Sequence, residues 1–556
     1  MKKRELLFIL LSIALATITR FYKLGEVPSG LYLDEAAQGY NAFSILKTGK
    51  DEFGKSFPIV FRSFTDFKTP VYIYTIVPLI PIFGLTKFAV RFPSFFASIL
   101  TIPIFFLLIK KISPKKVSQN LASISILLLA VSPWHILFGR TNFECNLALF
   151  LYLTGLYFFY VSLEKPKALI LSAIFFAIAI PAYHSQRIVT PLTLLYLFAK
   201  NNKTLFSKSH KKIFLISLTI GFILLFPTLK VALTPGFLAR ASGLNIFTRV
   251  PAGYSDNQKN LAGFFINNKM LLLTKQFLAL YISYFSPRNM FILGDYGKRS
   301  SFPELSTFFI WQFPFYIIGL YLLIKSKKLG EIKNLTLLLL IISPLPAAVT
   351  HDPYSTIRAL PLVIPQIIVI SLGINWLYSK LLFNKFSKLV FLAGSAVLLT
   401  YSLLKLQSSV IILNEYYRAT DWNYGWEEVA NTIKNDLDKN LPIIVDNTRS
   451  EPHSQLLFFL EYTPENYQKD NSLNLQEYYT NMKRNKNKII GNITTRPINW
   501  EKDLKKEMYL IGDELAISTQ QIQNHNLTLI REIKYPDQSP AFRIVKTNLK
   551  SATSAF

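Results

Sequence analysis

The chain has 556 residues, 51% of them hydrophobic, and a mean hydropathy of +0.30, which excludes an ordinary soluble protein of that size. Its net charge of +28 would suit nucleic acid, but Lys and Arg fall in short clusters between apolar runs, as membrane topology requires, and that placement argues against a nucleic-acid partner. A single cysteine, Cys145, excludes an internal disulfide and a multi-Cys metal site.

Met1-Lys2-Lys3-Arg4 followed by Leu6–Thr19 has the outline of a signal peptide. No small-residue cleavage site follows, and Phe21-Tyr22 continues the apolar run, so a retained first span is expected over residues 5–22. The basic cluster puts the N-terminus in the cytoplasm and the next loop outside. That loop carries Leu33-Asp34-Glu35-Ala36, two adjacent acids in an apolar setting, where carboxylates are expensive unless they are used. Val71–Phe83 is short, holds Pro78 and Pro81 and ends at Gly84; it reads as a helix lying at the outer surface.

Further spans are expected over 88–109, 118–138, 146–163, 168–183, 188–199, 213–230, 307–324, 334–350, 360–378 and 389–408, with a long outer segment over 231–306. That makes about eleven spans by length and charge. The inferred inner loops hold about twenty Lys/Arg and about three acids, the bias that the positive-inside rule expects. Nearly every Asp, Glu and His of the membrane part falls on the other side.

From residue 409 the composition turns polar. An amphipathic helix is expected over 425–438, a buried strand over Leu441–Val445, a helix over Leu456–Tyr462, a strand over Met508–Ile511, and a hairpin of Leu527–Ile533 with Ala541–Lys546 across Pro536-Asp537. The fold class is therefore an α-helical polytopic membrane protein with a small C-terminal α/β extracytoplasmic domain. Residues 1–408 form the membrane domain, with a first outer loop at 23–87, and residues 409–556 form the tail. No Gly-rich nucleotide loop occurs.

Taken singly, the polar groups of the outer side have bland readings. Arg91 or Arg187 at a helix end suits an interfacial snorkeller. His135 beside Trp134 suits interfacial packing, and Cys145 suits packing between helices. Asp51-Glu52 reads as a solvated turn, and His351-Asp352 as half a metal site. Asp34 suits an N-cap, with Glu35 favoured by the helix dipole. As a set they are harder to dismiss: acids in one early loop and cations at many outer helix ends describe a site for a lipid-linked phosphate at the membrane surface.

Leu33-Asp34-Glu35-Ala36, then Lys68-Thr69-Pro70 with Tyr72 and Tyr74, then Phe83-Gly84 and Arg91-Phe92-Pro93-Ser94, in this order and spacing, resemble the N-terminal half of the GT-C membrane glycosyltransferases. The most similar groups are the protein O-mannosyltransferase family and the bacterial lipid A aminoarabinose transferases. Ser132-Pro133-Trp134 and Tyr183-His184-Ser185-Gln186-Arg187 continue the likeness. It covers residues 1–200 and, more loosely, 280–375; the tail matches no named domain.

The resemblance implies a GT-C fold and an inverting transfer from a polyprenyl-phosphate sugar. Asp34 then matches the catalytic base, and Glu35 orients it or the acceptor. Lys68 matches the lysine of the family's Lys-Pro-Pro stretch and steadies the departing phosphate, with Thr69 standing where the family has its first proline. Arg187, Arg358 and Arg91 are further phosphate candidates. Tyr72, His184, Arg140, Asp295 and His351 are candidate substrate contacts.

The partners so implied are the lipid-linked donor, membrane lipids, and an acceptor glycan, lipid or protein in the plasma membrane's outer space. No cofactor is required by the resemblance, and a divalent metal is compatible with it. The alternative is a transporter or flippase of lipid-linked sugars. That would call for charges within mid-span helices, and the sequence shows few.

Overall fold

A computed structural model of the chain describes residues 3–64, 66–234, 246, 268–381, 385–480 and 487–548, the side chains of 116, 119 and 381 excepted. They form two compact units. One gathers the described residues of 1–22, 91–233 and 238–410, the other those of 23–90, 234–237 and 411–556. The first loop thus groups with the C-terminal tail.

The protein is a multi-pass membrane protein whose helices fall where the apolar runs put them. They include α1 (Lys3–Phe21), Lys87–Ile112, Glu144–Ser162, Lys211–Val231, Val363–Leu381 and Lys385–Leu406. Among the described residues, six helices are long and apolar enough to cross a membrane, or seven if the bent pair Asn120–Ala130 and Pro133–Arg140 is one span. This lies below the about eleven spans drawn from charge alternation, for local reasons. Arg4, Glu5 and Arg20 interrupt α1, and Ala168–Ala182 and Ile310–Lys325 are short. Of the expected segment 231–306, the described part contains a further helix, Lys269–Ser283; residues 235–245 and 247–267 lie outside the described residues.

Close helix packing in the membrane unit rests on small residues, since lipid offers no hydrophobic drive between apolar helices. A Cβ on Gly319 would stand 1.8 Å from the Val369 carbonyl oxygen, and one on Gly373 2.0 Å from that of Phe315. The helices Phe313–Lys325 and Val363–Leu381 therefore cross backbone to backbone. Acids of this unit meet cations: buried Glu5 lies 2.6 Å from Lys110 Nζ, and half-buried Glu331 is reached by Lys200 and also accepts from the Tyr160 hydroxyl at 2.8 Å.

The second unit joins the loop to the tail. Its loop part contributes helix α2 (Leu33–Thr48), the hairpin β1 (Phe61–Ser63) and β2 (Asp66–Lys68), and the broken apolar helix Pro70–Phe83, which is too short to span by itself. Its tail contributes β3 (Ile443–Val445), β4 (Lys488–Ile490), β5 (Ile493–Thr495), β6 (Tyr509–Gly512), β7 (Thr528–Lys534) and β8 (Pro540–Lys546). They form one sheet of order β4-β5-β3-β6-β8-β7, with β3 parallel to both β5 and β6.

Alternation along the strands splits the core. Ile443 and Val445 face the buried stripe Trp426, Val429 and Ile433 of the helix Trp426–Asn435, while Ile444, Leu510 and Val545 pack with Ile517 and Leu527 on the other face. Tyr40 of α2 is part of the first core, and its hydroxyl donates to the Tyr462 carbonyl at 3.0 Å. A loop helix is therefore built into the tail's hydrophobic interior.

The seam is tightest just before the acid pair. Gln455 Nε2 donates to the Leu31 carbonyl at 2.7 Å, and Tyr32 meets Trp422 edge to face at 6.3 Å. At Gly30 an added Cβ would sit 1.9 Å from the Trp422 carbonyl oxygen, a backbone atom that cannot step aside. Gly30→Ala is accordingly expected to lose the folded protein in gel filtration and thermal unfolding, while Ser29→Ala keeps it. A normal melting temperature for Gly30→Ala would contradict this packing.

Candidate active site

Helix α2 begins after Tyr32, whose extended backbone (φ −60°, ψ 150°) marks the N-cap. The N-cap is thus Tyr32 and not Asp34, which sits in the first turn. Glu35 makes the return contact of a capping box: its Oε2 accepts from the Tyr32 N–H at 3.1 Å, and the side chain is fully buried. Both acids lie in the first turn of the helix.

The two acids part company in their surroundings. Asp34 Oδ1 is 2.7 Å from Lys68 Nζ, and their side chains are 21% and 8% exposed. The cation is enclosed and the carboxylate opens to solvent. Lys68 closes β2, in register with Phe61 of β1. The next residue, Thr69, is extended at φ −73° and precedes Pro70, the first residue of a helix. That φ lies within proline's range of about −65 ± 15°. Threonine therefore keeps the backbone path that a proline would impose, and Lys68 still projects from a strand end.

Tyr72 is buried, and its hydroxyl donates to the Val90 carbonyl at 3.1 Å. That bond makes it a strut under the loop. Asp51 and Glu52 are likewise no solvated turn; both are buried. Asp51 accepts from the N–H groups of Phe53 (3.0 Å) and Lys55 (2.9 Å) and from the Tyr478 hydroxyl (2.6 Å). Glu52 accepts from Asn41 Nδ2 at 2.9 Å.

Burial pushes the Asp51 carboxyl up to about 6 and that of Glu52 up to about 7. The folded protein therefore holds protons that the unfolded chain releases near pH 4. The contribution of these acids is full below that value and is lost as pH rises through about 6 and about 7. Glu52→Gln is expected to raise the melting temperature at pH 8 and to shrink the difference between pH 5 and pH 8. A lowered melting temperature at pH 8 would contradict the buried-acid account.

The remaining candidates belong to the membrane unit. Arg91 and Arg140 are buried, so neither is a snorkeller at the lipid boundary. Arg140 Nη1 donates to the carbonyls of Thr19 and Arg20, both at 3.1 Å, closing the C-terminal end of α1. Those two bonds are a capping role. Sequence reasoning missed Arg20, which is buried and donates to the carbonyls of Ala130 (2.7 Å) and Leu129 (3.1 Å), with His135 Nδ1 at 2.9 Å. Its only signal was a charge inside an apolar run.

His184 and Arg187 are partly exposed, and Tyr183 packs against His184 edge to face at 5.9 Å. Asp295 accepts from the Thr356 N–H at 2.7 Å and hydroxyl at 2.8 Å, stapling two loops together. Arg358 is ion-paired to Asp352, the neighbour of His351. Asp352 is therefore engaged by a cation, and among the described residues no group of three or more His, Cys, Asp or Glu comes together as a metal site.

Residues 67–230 match the family model of dolichyl-phosphate-mannose-protein mannosyltransferases, a stretch that contains Lys68, Arg91 and Arg187. No curated protein sequence matches the chain. Among solved structures, ArnT from Cupriavidus metallidurans in the apo state is similar at a TM-score of 0.54 and 11% identity, covering 98% of each chain. The same protein bound to undecaprenyl phosphate gives 0.54 and 10% identity over 97% of each. The resemblance to GT-C proteins of the O-mannosyltransferase and ArnT kind thus holds in sequence over one stretch and in fold along nearly the whole chain.

Proposed function

We propose that this chain, alike in sequence to the mannosyltransferase family over residues 67–230 and in fold to ArnT, is an integral-membrane glycosyltransferase. It moves a sugar from a polyprenyl-phosphate donor to an acceptor hydroxyl on the extracytoplasmic face. The observation that carries this reading is the Asp34–Lys68 pair at 2.7 Å: an accessible carboxylate held by an enclosed cation at a helix N-terminus. The ArnT structure with undecaprenyl phosphate supports a polyprenyl phosphate as carrier. The basic clusters of the opposite loops support an outer location for the loop that bears Asp34.

In the resting pair Lys68 masks Asp34. A donor phosphate competes for the same Nζ and, on binding, releases the carboxylate to act as base. Asp34 then takes the proton of the acceptor hydroxyl as that oxygen attacks the anomeric carbon. The new C–O bond forms as the bond from that carbon to the phosphate oxygen breaks, and the polyprenyl phosphate departs with its growing charge met by Lys68. One direct displacement inverts the anomeric centre. Glu35, tied to the helix start, orients Asp34. Arg91, Arg187 and Arg358 are the membrane unit's candidates for the lipid phosphate.

The test is reconstitution of the full chain in proteoliposomes with a panel of polyprenyl-phosphate sugars. Consumption of one donor with release of polyprenyl phosphate is expected. Intact donors throughout, with or without movement between leaflets, would overturn the reading.

A further inference from the structure

The tail's sheet contains one place where loops leaving neighbouring parallel strands run to opposite sides. From β3 the chain leads to β4 and β5 on one side; from β6 it leads to β7 and β8 on the other. In open sheets of this kind the carboxyl ends of such strands part and leave a crevice suited to ligands. Here that crevice is a cleft of about 480 Å³, floored by Val445 and Asp446 after β3 and by Ile511, Gly512 and Asp513 after β6. The volume is that of a small-ligand site. Leu33, the residue before Asp34, forms part of its wall.

The lining has a definite chemistry. Tyr424 and Tyr535, both partly exposed with ring centroids 6.1 Å apart, supply an aromatic wall. Arg449 forks onto Asp513 through Nε (2.7 Å) and Nη2 (2.6 Å), and Nη1 takes no part in that fork. Asp446 is fixed by the Thr448 N–H at 3.0 Å and the Ile498 N–H at 3.2 Å. Glu451 adds a third carboxylate against the single arginine. Three acids and one cation disfavour a phosphate or an anionic headgroup. Preset carboxylates beside aromatic faces suit a ligand rich in hydroxyl donors with apolar C–H faces. An extended peptide would instead seek a sheet edge, and the edges here are β4 and β7, away from β3 and β6 in the strand order.

We propose that the cleft between the carboxyl ends of β3 and β6, walled by Leu33, Tyr424 and Tyr535 and set with Asp446, Arg449 and Asp513, binds a neutral oligosaccharide. That the glycan is the acceptor of transfer rests on the function proposed above; the binding does not. Glycan lying in the cleft touches Leu33, the first residue of the helix that bears Asp34, so the acceptor is held against the element that carries the base. The tail thereby selects the acceptor.

Binding is read directly, by saturation-transfer NMR and calorimetry on the detergent-purified full chain, with mannotetraose, cellotetraose, maltotetraose, chitotetraose and an uncharged Ser/Thr-rich decapeptide as probes. At least one tetrasaccharide is expected to bind and the peptide is not. Arg449→Ala is expected to weaken binding at least ten-fold. Thr448→Trp, which fills the cleft from an exposed position, is expected to abolish it at an unchanged melting temperature. Asp34→Asn is expected to keep it. Absence of binding by every tetrasaccharide, binding of the peptide alone, or full affinity in Thr448→Trp would overturn the proposal. Tetrasaccharide binding by a protein that consumes no lipid-linked donor would leave the cleft standing and remove the transferase reading.

Discussion

Asp34→Asn is expected to lower sugar transfer by about 10²–10⁴-fold, the usual worth of a positioned general base, with little change in folding. Asparagine keeps the shape and an oxygen for Lys68 Nζ, which now stands 2.7 Å from the carboxylate. It cannot take the acceptor proton. The acid is partly exposed, so the pair is no deep structural keystone, and the melting temperature is expected to fall by only a few degrees. The fall belongs in kcat, since the lost interaction is made in the transition state and not in donor binding. Transfer by Asp34→Asn at the wild-type rate would remove the residue from the base role.

Lys68→Met is expected to act on both chemistry and fold. The leaving phosphate loses its cation, a loss of about 10²–10³-fold for a group that meets developing charge. Methionine fills a similar volume in the enclosed site, but Asp34 is left beside it unpaired, which costs about 1–3 kcal/mol. Lys68→Arg keeps the charge yet brings a planar fork to a site shaped for one ammonium, and it is expected to recover stability better than rate. If Lys68→Met lost stability and kept its rate of polyprenyl phosphate release, Lys68 would be structural only.

The membrane helices were legible because their signal is local: apolar runs of sufficient length ended by basic clusters. The strands Ile443–Val445 and Tyr509–Gly512, and the hairpin Thr528–Lys534 with Pro540–Lys546, were legible for the same reason. The hairpins Phe61–Ser63 with Asp66–Lys68 and Lys488–Ile490 with Ile493–Thr495 were not, since polar residues such as Arg62, Asp66, Lys488 and Thr494 break the continuous apolar run that marks Ile443–Val445. Pairing with distant chain was least legible of all. Asp51-Glu52-Phe53-Gly54 has the composition of an exposed turn, and what buries Asp51 is Tyr478, 427 residues away.

The arginines show the same limit. Arg140 sits at a helix end, where charge suggests a ligand site, and it closes the carbonyls of α1. Residue type and position along the chain do not tell a capping arginine from a phosphate-binding one; the partner does. Asp34 and Lys68 are the pair drawn from motif order that the fold sets side by side. Glu35 proves to combine the first-turn position with the return contact of the helix cap.

The most direct measurement follows a doubly labelled polyprenyl-phosphate sugar in proteoliposomes of the full chain, with one label on the sugar and one on the lipid phosphate. The account predicts one free polyprenyl phosphate for each sugar found on the acceptor, with the anomeric configuration inverted, and neither event in Asp34→Asn. Both labels crossing together to the opposite leaflet, with no phosphate freed, would contradict it and make the protein a carrier of lipid-linked sugars.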